Sequence, residues 1–192
     1  MASNRLCFPL ILFLFEIVIL IRYGTVVQFP GYAKGDASTV ENEESVSEFN
    51  KSYPILQDVN VMMFIGFGLL MTFMRHGGFQ AMGFTFLITV VSIQLYPLLG
   101  GLWHNVFKAH WEMISLKYIT FIMSLYSAAG ILIAYGALIG KITMLHTIIL
   151  VIFQTFLYSL NEGIAMLVIK ANDIGGSMII HAFSCYFGLA VS

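Results

Sequence analysis

The chain has 192 residues, 59% hydrophobic and only 10% charged, with a mean hydropathy of +0.88. A soluble domain is about 45–50% apolar and about 25% charged, so this composition excludes an ordinary water-soluble globule and makes the bilayer the expected solvent. A net charge of −1 argues against nucleic acid as a partner, and two cysteines, Cys7 and Cys185, without metal-ligand spacing argue against a disulfide framework or a thiolate metal site.

A spanning helix needs about 20 mainly apolar residues, and six stretches qualify, at roughly 6–29, 59–75, 79–103, 115–139, 142–168 and 172–192. The first could be a signal peptide, but Glu16 interrupts its apolar run and no small-x-small cleavage site follows, so a retained helix is expected. Between the first two spans lies the one long polar segment, roughly 30–57, with Glu41, Glu43, Glu44 and Glu48 and the sequon Asn50-Lys51-Ser52. It reads as a loop, dividing the chain into residues 1–58 and 59–192. A glycan on Asn50 would put the loop outside and the N-terminus in the cytoplasm. That orientation places Arg5, Arg75 and Lys141 inside and Arg22, Lys34, Lys108, Lys117 and Lys170 outside, so the positive-inside rule does not support it.

Trp103 and Trp111 flank the connection after the third span, as interfacial anchors do. His104, His110 and Glu112 share that connection and have metal-ligating chemistry, but a solvated interfacial loop explains them better and no metal is expected. Glycines recur inside the spans, and Gly136-Ala-Leu-Ile-Gly140 has the GxxxG spacing of close helix packing. With no phosphate loop, no Ser-His-Asp pattern and no Cys/His cluster, neither an enzyme nor a cofactor is indicated.

The last span opens with "KANDIGGSMIIHAFSCYFG". Asn172 or Asp173 can cap a helix there, because a short side-chain oxygen accepts from the free first-turn N–H groups and an acid meets the positive end of the helix dipole. His181 follows Asp173 by two turns, about 12 Å deeper at the α-helical rise of 1.5 Å per residue. An ionisable residue at that depth either bonds to a neighbouring helix or lines a solute path.

The stretch "KANDIGGSMIIHAFSCYFGLAV" resembles the fifth conserved helix of Rhesus (Rh) glycoproteins, relatives of the Amt/Mep ammonium transporters. In the same order, "YPILQDVNVMMFIGFGLLMTFMRHGGF" resembles the family's first conserved helix, "AYGALIGK" the end of its third and "SLNE" the end of its fourth. The N-terminal span with its glutamate and sequon loop resembles the extra helix of Rh proteins. The resemblance implies an all-α membrane protein, a polytopic bundle made of the extra N-terminal helix and the first five-helix repeat of an inverted-repeat fold. It implies a multi-pass protein of the plasma membrane and a homotrimer, each subunit with its own pore for ammonium or ammonia, carbon dioxide being a further solute proposed for such pores. His181 matches a pore histidine, Asp173 an acid at the outer end of its helix and Glu162 an acid of the outer vestibule. Tyr126 falls where a gating phenylalanine is expected, which adds a hydroxyl to the gate. Family chains are markedly longer and carry a second repeat, so an incomplete or truncated chain is expected. The alternative is a non-conducting structural or regulatory subunit that binds full-length chains.

Overall fold

The computed structural model describes residues 3–28, 43–73 and 78–192. Lys34, Glu41 and Arg75 lie outside the described residues, as do the side chains of Arg5, Cys7, Glu43, Glu44 and Glu48. Seven α-helices appear among the described residues: α1 Ser3–Val26, α2 Glu43–Val61, α3 Phe67–Thr72, α4 Gly78–Lys108, α5 Tyr118–Leu138, α6 Met144–Gly163 and α7 Phe183–Val191. Three π-helical turns join or extend them, at Met62–Gly66, Ile164–Ile169 and Ser177–Ala182. Six helical segments are long and apolar enough to cross a membrane, each overlapping one of the spans expected from sequence.

The second span begins earlier than its hydropathy suggests. Residues 43–57 are polar enough to read as loop, yet they form the first turns of α2, and the apolar segment runs Phe49–Thr72. Polarity does not stop a helix when its side chains are good helix formers. Pro54 sits inside α2, where it removes one N–H donor; the carbonyl left free belongs to the exposed Asn50 and so costs little.

The core forms where α4 packs against α5 and α6, with α2 and α7 against α5. Ile88, Ile131, Leu132 and Met63 are fully buried. In lipid, apolar burial alone does not drive helices together, so close packing and satisfied polar groups must. Thr85, Thr89 and Thr155 are fully buried, and their hydroxyls donate to the carbonyls one turn back at 3.0, 2.8 and 2.7 Å. The nearly buried Ser159 does the same to Thr155 at 2.8 Å. Such hydroxyls need no water.

α1 is held by few groups. Its C-terminal extension β1, Val27–Gln28, pairs in parallel with β2, Ile114–Ser115, in the α4–α5 connection. The Leu116 N–H then donates to the Gln28 carbonyl at 3.1 Å. Lower down, the Tyr23 hydroxyl donates to the Gln94 carbonyl at 2.8 Å, beside Pro97, which disturbs the carbonyls of the preceding turn. The strand pair brings the end of α1 and the end of α4 to one end of the bundle.

The GxxxG reading of Gly136 and Gly140 does not hold. Gly140 lies beyond α5 at φ +79°, where it reverses the chain, and a Cβ on Gly136 would meet only Met71 Cε at 3.8 Å. The close contact is elsewhere on the same helix. A Cβ on Gly130 would come within 2.6 Å of Ser184 Oγ, and one on Gly188 within 2.9 Å of Ala134 Cα. Each pair advances by one turn in the same direction, so α5 and α7 run parallel along a seam of small residues.

Candidate functional site

Asp173 sits in the turn between α6 with its π-helical extension and the last span. Lys170, at φ +56°, ends that extension. Asp173 Oδ1 accepts from the Ser177 hydroxyl at 2.8 Å and the Met178 N–H at 3.0 Å, and Oδ2 accepts from the Ile179 N–H at 2.9 Å. Both carboxylate oxygens are therefore engaged in capping. Slight desolvation pushes the carboxyl up, but the N–H groups of Ile179 and Met178, with Ser177, outweigh it and hold the acid below its usual value. The cap reaches across Gly175 and Gly176, at φ +69° and +68°. Only glycine takes that left-handed pair without strain, and a Cβ on Gly176 would also strike the Ile180 side chain.

The helix that follows is not α-helical at its start. Ile174–Gly176 is a 3₁₀ turn and Ser177–Ala182 a π-helical turn, so the uniform α-helical rise behind the depth expected for His181 does not apply to this segment. His181 lies in the π turn, is exposed, and its ring makes no hydrogen bond among the described residues. π turns are frequent at functional sites because they displace one side chain from the helical register.

Glu162 is 8% exposed, and its Oε2 accepts from the Tyr96 hydroxyl at 2.5 Å, the length of a charge-assisted bond. The Tyr96 ring meets Tyr158 edge-on at 6.2 Å, and Tyr158 meets Phe183 in the same way at 6.2 Å. The Tyr158 phenol lies within electrostatic range of Glu162, Asp173 and Tyr126. Tyr158 thus links the Tyr96–Glu162 pair to Phe183 on the last span. Neither tyrosine was among the candidates. Tyr158 precedes Glu162 by one helical turn, a spacing that places both on one face and could have flagged it; Tyr96, on another helix, has no local signal.

Tyr126 is half-buried, packs against the main core, and lies one turn before Gly130. The carbonyl of Gly130 accepts from the Gln154 side-chain amide at 2.9 Å, linking α5 to α6 beside the α5–α7 seam. His181 is on the span joined to this cluster but presents an exposed ring, apart from Glu162 and Tyr96.

Asn50 is exposed on α2, next to Phe49, whose ring stacks on Tyr53 at 4.9 Å and meets Tyr118 edge-on at 5.3 Å. His110 Nδ1 lies 3.1 Å from Glu112 Oε1 on an exposed loop, and His104 does not join them; no three His, Cys, Asp or Glu side chains converge among the described residues. Cys185 is a free, exposed thiol.

A family model described as Ammonium Transporter Family matches residues 17–192. The chain is 36% identical over 190 residues to the ammonium transporter Rh type B of Danio rerio, covering 98% of this chain and 41% of that protein. It is 37% identical over 195 residues to Rh type B of Takifugu rubripes, covering 100% and 42%, and 35% identical over 188 residues to Rh type C of Homo sapiens, covering 96% and 39%. The chain thus spans about two-fifths of the length of the curated relatives it matches. With the family model matching residues 17–192, the chain belongs to the ammonium transporter family.

Proposed function

We propose that this chain supplies one wall and the outer mouth of a membrane path for ammonium and ammonia. The observation that carries the reading is His181: an unpartnered imidazole on a π-helical turn within a spanning segment, on a helix whose start is fixed by a capping acid. A ring placed there and not bonded to its own bundle has a surface to offer to a solute. Bare ammonium is costly to move into a low-dielectric slab, while neutral ammonia is cheap. Glu162 draws the cation to the mouth, with Asp173 adding negative charge while it holds the helix. Tyr126 narrows the path. A neutral imidazole at His181 provides one donor and one acceptor and so holds ammonia or relays a proton without a permanent charge. Because His181 is exposed on this chain, a second surface closes the path in the whole protein. On this reading the N-terminus is cytoplasmic, Asn50 is an outer glycosylation site, and the protein works as a homotrimer of the plasma membrane.

The test is methylammonium uptake by the whole protein carrying His181→Ala. Uptake is expected to change at least tenfold, a shift of about 1.4 kcal/mol in the barrier. Unchanged uptake at normal surface expression would remove His181 from the path. A second reading, a non-conducting structural or regulatory subunit, is favoured by Tyr126, whose hydroxyl adds a polar group where a dry gate is expected. Co-purification with conducting relatives, without uptake of its own, would support it. Carbon dioxide passage is read by the same preparation with a pH-sensitive dye inside vesicles.

A further inference from the structure

The two acids nearest to His181 in the chain are Glu162 and Asp173, and they are held differently. Asp173 engages both oxygens, with three donors. Glu162 engages one. Its Oε2 accepts from the Tyr96 hydroxyl at 2.5 Å, while Oε1 accepts no hydrogen bond among the described residues and is not sealed from the surface. An acid within a spanning segment is costly to keep. One that served only to join α4 to α6 would be more stable with both oxygens bonded. A single open oxygen on an otherwise buried carboxylate is instead suited to a cation that comes and goes.

The donor is fixed in place. Tyr96 is 7% exposed, and its ring meets Tyr158 edge-on at 6.2 Å. One turn further along α4, Gly100 leaves the space in which the phenol lies. A Cβ there would stand 3.2 Å from Tyr96 Cζ and 3.5 Å from its hydroxyl oxygen. Ile179 and Phe183 stand two residues before and two after His181, and both pack in the cluster formed by Tyr96 and Tyr158. The same rings that hold the phenol thus hold the segment that carries the imidazole. A donor locked by packing needs no ordering when it binds its acceptor.

We propose that Tyr96 is the positioning residue of Glu162. By occupying Oε2 it holds the carboxylate in one orientation and leaves Oε1 as the oxygen offered to ammonium or methylammonium. Tyr96 touches no solute and acts only through the acid. This inference rests on the reading of Glu162 as the recruiting acid of the mouth. Without the phenol the carboxylate turns freely, so recruitment weakens while passage past His181 is unaffected.

The experiment is methylammonium uptake by the whole protein over a range of concentrations, with the maximal rate normalised to surface protein. Tyr96→Phe keeps the ring and deletes the donor. It is expected to raise KM about fivefold and to leave the normalised maximal rate within about twofold, the pattern of lost binding without a changed barrier. A merely structural role would lower the amount of surface protein with KM unchanged, and that result would overturn the proposal. Glu162→Gln should raise KM at least as much, and adding Tyr96→Phe to it should raise KM no further. That double variant leaves no carboxylate without its donor, so it decides the matter even where Tyr96→Phe alone fails to reach the surface. A further rise in the double variant would show Tyr96 acting on its own and would overturn the positioning role. An unchanged KM in Glu162→Gln alone would instead remove the recruiting acid itself, and the proposal with it. Tyr135→Phe deletes another buried phenol, on α5, and should leave KM unchanged. An equal rise there would show that loss of any buried phenol suffices and would likewise overturn the assignment.

Discussion

At the scale of single residues, the acids do different work. Asp173 engages both oxygens with three donors, so its first role is to fix the helix that carries His181. Asp173→Ala should cost about 1–2 kcal/mol and lower the melting temperature, while Asp173→Asn, which keeps one acceptor, should cost less. Hydrogen bonds to its charged form depress the acid's pKa, so the stability it adds is fully present above the ordinary aspartate value of about 3.9 and is lost as pH falls below it. The melting difference between wild type and Asp173→Asn should therefore be constant from neutral pH down to mildly acidic pH and shrink only below that value. A difference that vanished near neutrality would show that the carboxylate cap is not what holds the turn. Glu162 is bound to one donor, Tyr96, in a buried setting. Tyr96→Phe leaves that oxygen without its donor, at about 1–3 kcal/mol. A double-mutant cycle with Glu162→Gln should show coupling of about 0.5–3 kcal/mol in thermal unfolding. Additive losses would mean that the 2.5 Å contact carries no energy.

At the scale of elements, the α5–α7 seam sets where the His181 segment lies. Ser184 is one turn beyond His181 and packs on Gly130, while Gly188 packs on Ala134. Gly188→Val would drive a side chain into the α5 backbone, with an expected loss of about 1–3 kcal/mol. Gly136→Ala meets only the tip of Met71, so it should stay within about 0.5 kcal/mol of wild type. Thermal unfolding of the pair discriminates between the seam observed and the GxxxG spacing visible in sequence. If Gly136→Ala were the damaging change, the helix pairing described here would be wrong. The α2 helix raises a different expectation. Asn50 is exposed on it, beside an aromatic trio suited to a membrane interface. Asn50→Gln should remove a glycan-dependent gel shift from protein made in a eukaryotic cell. No shift in the wild type would leave the outward orientation of this helix without its support.

At the scale of the whole molecule, much was legible because lipid imposes simple rules. A chain that must satisfy every backbone group without water shows its spans as apolar runs, and six appeared at the expected places. The start of α2 was less legible, since polar residues outside the bilayer are as compatible with helix as with loop. Asp173 was readable as a cap from its place before an apolar run, and two glycines warned of an irregular start. The π turn that holds His181 was not readable, because it arises from how Gly175, Gly176 and the α5 contact divert the chain, and not from a local preference. Nor was the GxxxG misreading avoidable from spacing alone, since small residues fit a helix contact and a helix end equally well.

The sequence by itself determined the solvent, the number of spans, the capping acid and the family, because hydropathy, cap chemistry and motif order are local properties of the chain. Tertiary structure alone decided which groups meet. Tyr96 reaches Glu162 from a helix 66 positions away in sequence, Tyr158 joins the rings of Tyr96 and Phe183, and Ser184 meets Gly130 across the α5–α7 seam. The physical reason is that such contacts depend on the rotation and crossing of packed helices, which side-chain shapes on several elements fix together and no single stretch encodes.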